Sequence, residues 1–283
     1  MPTDCKEIRL SDGTIIGGRL SLFLIAGPCV IETEEHARFL AKEIKNICQD
    51  VGLPFVFKAS FDKANRSSLH SYRGPGIRPG LEILRRIREE LAVPVLSDIH
   101  EAWQAELAAE VLDIIQIPAF LCRQTDLLLA AAKTKKPLNV KKGQFLAPED
   151  MAQVIEKIVS TGNEQIILTE RGTSFGYHDL IVDLRSVAIL KSFGFPVVID
   201  ASHSVQRPGA AGTSSAGNPE FIPTIVRGGI AAGADGLFLE VHEAPPQALS
   251  DKYNSLKINK LKKVLLVARE LWETVKRWDD EKE

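Results

Sequence analysis

The sequence predicts an α/β protein, a (β/α)8 TIM barrel with a short N-terminal β-hairpin. Eight short apolar runs recur along the chain, each leading into a polar or ionisable residue. Strands buried on both faces read as such continuous runs rather than as alternating ones. Amphipathic helical patterns separate the runs, and 283 residues suit one barrel of about 250 residues with small additions. The active site of such a barrel lies at the C-terminal ends of its strands, so the residues that close the runs are expected to share one pocket.

The elements follow in order. Glu7–Gly18 sets Asp12-Gly13 between short alternating runs, the signature of a type I′ hairpin. This extension, residues 1–21, is expected to plug the bottom of the barrel. Phe23–Pro28 leads into Cys29. Thr33 is placed to cap the first helix, with Glu34 and Glu35 in its first turn, Leu40, Ile44, Ile47 and Val51 as its apolar stripe and Gly52 just past its end. Phe55–Phe57 ends in Lys58, and Leu81, Leu84, Ile87 and Leu91 mark a second helix. Val93–Leu96 runs into Asp98 and His100, Ile114–Ile115 into Gln116, Leu138–Val140 into Lys141 and Ile166–Leu168 into Arg171. Val197–Ile199 reaches Asp200 and His203, and Leu237–Leu239 reaches Glu240. Leu261, Leu265, Ala268, Leu271 and Val275 stripe a last helix that closes the ring. With no linker or break in composition, residues 1–283 read as a single domain. The loop Ser204–Pro219, rich in Gly, Ala, Ser and Pro, is expected to act as a lid.

Composition excludes several classes. With 45% hydrophobic and 25% charged residues the chain is neither disordered nor fibrous. A net charge of −2 argues against nucleic acid or an anionic membrane as partner, so an anionic ligand needs a local cationic site. No apolar run approaches the roughly 18 residues of a membrane span, and Met1–Leu10 lacks the apolar core of a signal peptide; a cytoplasmic location is expected. The four cysteines, Cys5, Cys29, Cys48 and Cys122, form no C-x-x-C pair and are expected to be reduced. Cys48 falls in a helical apolar pattern and reads as core, whereas Cys29 follows a strand. No P-loop, Rossmann glycine pattern or nucleophile elbow is present.

Two clusters carry chemistry. The first runs from Lys58 through Ser60, Lys63, Asn65 and Arg66 to His70 and Arg73. Charge runs are commonly solvated faces, but this one lacks helical spacing and interleaves hydroxyl and amide donors, which suits phosphate oxygens. Lys141 and Arg171 add cations from two further strands, so the pocket calls for ligands bearing two phosphates, or a phosphate and a carboxylate. The second cluster is Cys29, His203, Glu240 and Asp251. Thiolate, imidazole and carboxylate together suit a divalent Zn, Fe, Mn or Co ion; singly, each also reads as a core or ion-paired residue. Bound metal would polarise a carbonyl or activate water.

Together these residues resemble the 3-deoxy-D-manno-octulosonate 8-phosphate synthase family over about Leu22–Asp251. The most specific piece is Phe57-Lys-Ala-Ser-Phe-Asp-Lys-Ala-Asn-Arg-Ser-Ser68, supported by Gln116-Ile-Pro-Ala-Phe, Arg123-Gln-Thr-Asp, Asn139-Val-Lys-Lys, Glu170-Arg-Gly and Phe175-Gly-Tyr. Ala26-Gly-Pro-Cys-Val-Ile-Glu32 and Asp200-Ala-Ser-His-Ser-Val-Gln206 look like the metal-dependent class; the metal-independent class carries Asn at the position of Cys29. The resemblance implies condensation of phosphoenolpyruvate with D-arabinose 5-phosphate, with release of inorganic phosphate, in lipopolysaccharide sugar biosynthesis. It implies that Lys63, Lys141, Asp98 and His203 are catalytic. Lys58, Ser60, Lys63, Gln116, Lys141, Arg171 and His203 would surround phosphoenolpyruvate, and Asn65, Arg66, Asp98 and Gln144 would contact the pentose phosphate. Arg123 looks like a residue lent by a neighbouring subunit, which implies a homotetramer. Cys29, His203, Glu240 and Asp251 look like the ligands of a divalent metal ion. The chain departs from the pattern at Val241-His-Glu, where Thr or Ala, His and Pro are commoner, at Lys252–Ile258 and in the loop Arg207–Pro219.

Three other readings stand beside this one. A 3-deoxy-D-arabino-heptulosonate 7-phosphate synthase would use erythrose 4-phosphate, but its corresponding loop usually reads Lys-Pro-Arg-Thr-Ser. A Schiff-base aldolase would use Lys141 or Lys58. A phosphosugar-binding barrel without catalysis would lack a site residue, and none is missing.

Overall fold

The computed structural model describes residues 5–209 and 216–281. Its centre is a closed ring of eight parallel strands: β1 (Phe23–Gly27), β2 (Phe55–Lys58), β3 (Val95–Asp98), β4 (Ile114–Ile117), β5 (Leu138–Lys141), β6 (Ile166–Glu170), β7 (Val197–Asp200) and β8 (Gly236–His242). Each strand pairs with the next, and β8 closes the ring on β1 through Gly236↔Phe23 to Glu240↔Gly27. The predicted barrel is therefore observed, with all eight apolar runs as its strands. Among the described residues eight α-helices surround it: α1 (Glu34–Val51), α2 (Ile77–Leu91), α3 (Gln104–Ala109), α4 (Thr125–Lys133), α5 (Met151–Val159), α6 (Arg185–Lys191), α7 (Ile222–Ala231) and α8 (Ile258–Asp280).

The helix signals act as predicted. The Thr33 hydroxyl accepts the His36 amide, satisfying one unpaired donor of the first turn, and α1 runs out at Gly52. Ala37, Leu40, Ala41, Ile44, Cys48 and Val51 bury one face of α1, so Cys48 belongs to the core. The main apolar layer lies between the outer faces of the strands and the helices. A second layer fills the lower barrel: Phe23, Ile25, Val56, Leu96, Ile114, Ile167, Val198 and Phe238 point inward and meet Ile8, Leu10 and Ile16 of the N-terminal hairpin. The hairpin pairs Glu7–Arg9 with Ile15–Gly17 and plugs the bottom as expected. Its turn is not type I′. Leu10 N–H bonds to Thr14 C=O across three residues, and of those only Gly13 takes a positive φ, +89°. Asp12 stays out of the left-handed region because its carboxylate is held by the Thr14 amide and hydroxyl.

With the bottom sealed, polar side chains occupy the upper half of the same interior. Gly27 lets the strands come close there: a Cβ at that position would lie 2.0 Å from the Lys58 carbonyl oxygen. Residues 210–215 of the expected lid loop lie outside the described residues. No helix among the described residues is long and apolar enough to cross a membrane.

Candidate active site

The strand ends meet in a cavity of about 790 Å³, lined by Lys58, Lys63, Asn65, Arg66, Asp98, Gln116, Lys141, Gln144, Arg171, His203 and Asp251 among others. A groove of about 900 Å³ between Pro219 and Lys260 is larger but holds none of these groups, so chemistry rather than size selects the site.

One wall is a chain of buried hydrogen bonds crossing five strands. Lys58, 1% exposed, donates to the Cys29 carbonyl (3.0 Å) and the Ser60 hydroxyl (2.9 Å) and lies 3.7 Å from Asp98. Ser60 donates to Asp98, and Gln116 Nε2 donates to the other Asp98 oxygen at 2.5 Å. Asn139 then donates to Gln116 Oε1 at 2.8 Å and accepts from Thr169 at 2.6 Å. Burial pushes the Asp98 carboxyl up, but Lys58, Lys63, His100 and Lys141 outweigh it and hold it well below the usual carboxylate range. Fully satisfied networks of this kind fix side-chain positions.

The opposite wall centres on Asp200. Its carboxylate accepts from Lys141 Nζ at 2.6 Å, from His203 Nδ1 at 2.7 Å and from the amides of Ser202 and His203. Lys141 also sits 3.4 Å from the centroid of the Phe238 ring. Burial lowers the Lys141 ammonium below its ordinary value, against the pull of Asp200. Burial likewise lowers the Arg171 guanidinium; its Nη2 donates to Gln206, while its buried Nη1 has no partner among the described residues. A buried, unpaired donor in a cavity is what an anionic oxygen would complete. Lys63 and Arg66 supply further cations from the loop after β2.

Cys29, Glu240 and Asp251 each bring one ligand atom within 4.8 Å of the others. Cys29 Sγ lies 2.8 Å from Asp251 Oδ2 and 2.8 Å from Ser250 Oγ; His203 Nε2 lies 3.4 Å from Glu240 Oε1 and 3.7 Å from Asp251 Oδ2. Glu240 is wholly buried, and neither carboxylate oxygen has a hydrogen-bond donor among the described residues. A buried carboxylate in that state needs a cation. Lys58 and His203, at 3.6 and 3.4 Å, supply charge but no hydrogen bond, so both oxygens keep lone pairs for a metal. Burial, then the Asp251 and Glu240 charges, push the Cys29 thiol well up; a coordinated cation reverses that and yields the thiolate. Cys29, Glu240 and Asp251 thus offer a donor set that fits a divalent metal ion, and His203 stands beside the two carboxylates.

Residues 5–277 match the model of the DAHP synthetase I family. The chain belongs to that family. Curated relatives named 2-dehydro-3-deoxyphosphooctonate aldolase include one from Geobacter sp., 57% identical over 92% of this chain and 95% of the relative. Others come from Syntrophotalea carbinolica, 55% identical over 91% and 93%, and Pelobacter propionicus, 54% identical over 93% and 97%.

Of the site residues predicted from sequence, Ser60, Cys29 and Glu240 sit buried behind the cavity wall, and the others above line it. Arg123 does not: it is exposed and off the cavity of its own chain. Nor do His70 and Arg73, since Arg73 is bound by Asp62 through both carboxylate oxygens. Sequence reasoning missed Ser250, Gln206 and the buried pair Lys142–Glu170, 3.7 Å apart. Lys142, Glu170 and Gln206 stand in the motifs quoted above, at or near strand ends, but had been given no role. Ser250 meets Cys29 across 221 positions of chain, a contact that no spacing reveals.

Proposed function

We propose that this chain condenses phosphoenolpyruvate with D-arabinose 5-phosphate and water to give 3-deoxy-D-manno-octulosonate 8-phosphate and inorganic phosphate, a step of lipopolysaccharide sugar biosynthesis. The reading is supported by the relatives' name at 54–57% identity. The observation that carries it is the cavity itself, which joins the cations Lys58, Lys63, Arg66, Lys141 and Arg171 to the Cys29, His203, Glu240 and Asp251 group. Two phosphorylated substrates need those cations, and the loop Lys63–Ser68 favours the pentose acceptor over erythrose 4-phosphate.

In this mechanism Lys63, Lys141 and Arg171 hold the phosphate and carboxylate of phosphoenolpyruvate, with Gln116 and Ser60 in the supporting network. Asn65, Arg66, Asp98 and Gln144 orient the pentose phosphate. C3 of phosphoenolpyruvate attacks the aldehyde carbon, water adds at C2, and the C2–O bond to phosphate breaks. The cations stabilise negative charge as it moves onto phosphate, and holding two anions in attack geometry removes up to about 7–11 kcal/mol of barrier. Cys29, His203, Glu240 and Asp251 would hold a divalent ion, which when bound would supply Lewis-acid chemistry. Asp200 holds the His203 ring and opposes the effect of burial on the Lys141 ammonium. Arg123, exposed on its own chain, is assigned to a neighbour's pentose phosphate in a homotetramer. A cytoplasmic location accords with four free cysteines.

The test is phosphate release from phosphoenolpyruvate by chelator-treated protein, with and without Mn²⁺ or Zn²⁺, offered arabinose 5-phosphate or erythrose 4-phosphate. Turnover with arabinose 5-phosphate that returns with metal, and its loss in Cys29→Ala, are expected. Turnover with erythrose 4-phosphate alone overturns the substrate; full activity of Cys29→Ala without metal overturns the metal site.

A further inference from the structure

A second group of ligating side chains stands outside the cavity. Glu32 follows β1, His36 lies in the first turn of α1, and His242 ends β8 with Glu243 next to it. One ligand atom each from Glu32, His36 and His242 lie within 4.8 Å of one another. The two imidazoles face each other at 4.7 Å between centroids. They meet one carboxylate: Glu243 Oε2 is 2.9 Å from His36 Nε2 and 3.3 Å from His242 Nδ1. The remaining ring nitrogens, His36 Nδ1 and His242 Nε2, are buried and have no hydrogen-bond partner among the described residues. His242 is 4% exposed, and its Nε2 stands 3.5 Å from Glu32 Oε1.

We propose that Glu32, His36 and His242 form a second divalent-cation site, for Zn²⁺ or a similar borderline ion, with Glu243 as the outer carboxylate that orients both imidazoles. Ligating histidines characteristically donate their other ring N–H to a carboxylate, which fixes the tautomer and leaves the opposite lone pair for the metal. Glu243 is placed to do this for two rings at once, and the orphaned nitrogens are the two it leaves free. The Ala244 amide donates to His242 Nδ1 at 3.0 Å, so metal binding through Nε2 breaks that bond, moves the proton to Nδ1 and directs it to Glu243. Two imidazoles and a carboxylate, with water as a fourth ligand, suit Zn²⁺ or Co²⁺ better than Ca²⁺ or Mg²⁺. Glu243 is 40% exposed and marks the way in from solvent.

The site would act on the loop that supplies Asp251. Glu32 Oε1 accepts the Leu249 amide at 2.9 Å, two residues before Asp251, and His242 lies two residues after Glu240. A cation here clamps α1, β8 and that loop without touching the cavity.

The test counts metal on chelator-stripped, full-length protein equilibrated with Zn²⁺ and then freed of unbound ion. Two equivalents per chain are expected for the wild type, one for Cys29→Ala and one for His36→Gln, with none for the two substitutions combined. Glu243→Gln in the Cys29→Ala background should weaken Zn²⁺ binding about 10- to 100-fold. Co²⁺ bound to Cys29→Ala should show ligand-field bands without thiolate charge transfer. His36 is half-buried on a helix surface, so His36→Gln reports on the site without emptying the core, and its melting curve confirms folding. Cys29→Ala that binds no Zn²⁺, or whose remaining equivalent survives both His36→Gln and Glu243→Gln, overturns the second site. Failure of the Cys29 site itself reads differently: Cys29→Ala then binds as much Zn²⁺ as the wild type.

Discussion

Replacing Asp200 by Asn tests the buried charge network directly. The amide keeps one oxygen for the Ser202 and His203 backbone donors but removes the charge that faces Lys141 Nζ at 2.6 Å and His203 Nδ1 at 2.7 Å. Lys141 is 5% exposed, and Asp200 is its one carboxylate within 4 Å among the described residues. Removing one partner of a buried pair costs about 3–5 kcal/mol, far more than a surface pair is worth. With a melting entropy of roughly 2.1 cal/mol/K per residue, 283 residues give about 0.6 kcal/mol/K, so Tm should fall by about 5–8 °C. Circular dichroism melts at fixed protein concentration measure it, since association would otherwise shift Tm. The deficit should shrink as pH rises, because a lysine whose folded pKa is depressed stops resisting burial once it sheds its proton. In a double-mutant cycle with Lys141→Met, the Asn substitution should cost less than it does in the wild type, with a coupling of about 0.5–3 kcal/mol. A fall of Tm that is the same with Lys141 present or absent would refute the argument.

Asp98 gives a pH signature. Its pKa is lower folded than unfolded because of the lysines around it, so its contribution is present above about pH 4 and lost as pH falls. Urea titrations should show wild-type stability dropping more steeply toward acid than Asp98→Asn does; equal slopes would contradict this. Gly27→Ala forces a methyl against the Lys58 carbonyl and should cost about 1–3 kcal/mol, read as a lowered Tm, with an unchanged Tm as the contrary result. Glu240→Gln removes a buried carboxylate that lacks donors. The rise in Tm on adding Zn²⁺ should shrink; an undiminished rise would remove Glu240 from the ligand set.

Much of this architecture was legible because parallel strands buried on both faces have to be apolar until they reach the cavity. The change from Ile199 to Asp200, or from Leu239 to Glu240, therefore marks both a strand end and a site residue. The α1 cap was legible because Thr33 and the His36 amide lie within one turn. The hairpin turn was misread because Asp12 bonds locally to Thr14 instead of taking the left-handed conformation that type I′ demands. Lys58 read as one cation of a phosphate-binding cluster, and three-dimensional packing also ties it to Cys29, Ser60 and Asp98. The Glu32, His36 and His242 group was invisible for a similar reason: its members looked like a helix turn and a strand end, and only ring closure joins them.

That closure has a consequence for how the chain is made. Phe23 finds its partner in Gly236, so throughout synthesis the free side of β1 waits for the last strand to leave the ribosome. Until then the nascent chain carries an unpaired, wholly apolar strand edge, the kind of surface that recruits other strands and chaperones. Chains that stop short of β8 should accumulate as aggregates or chaperone clients rather than as partly working enzyme.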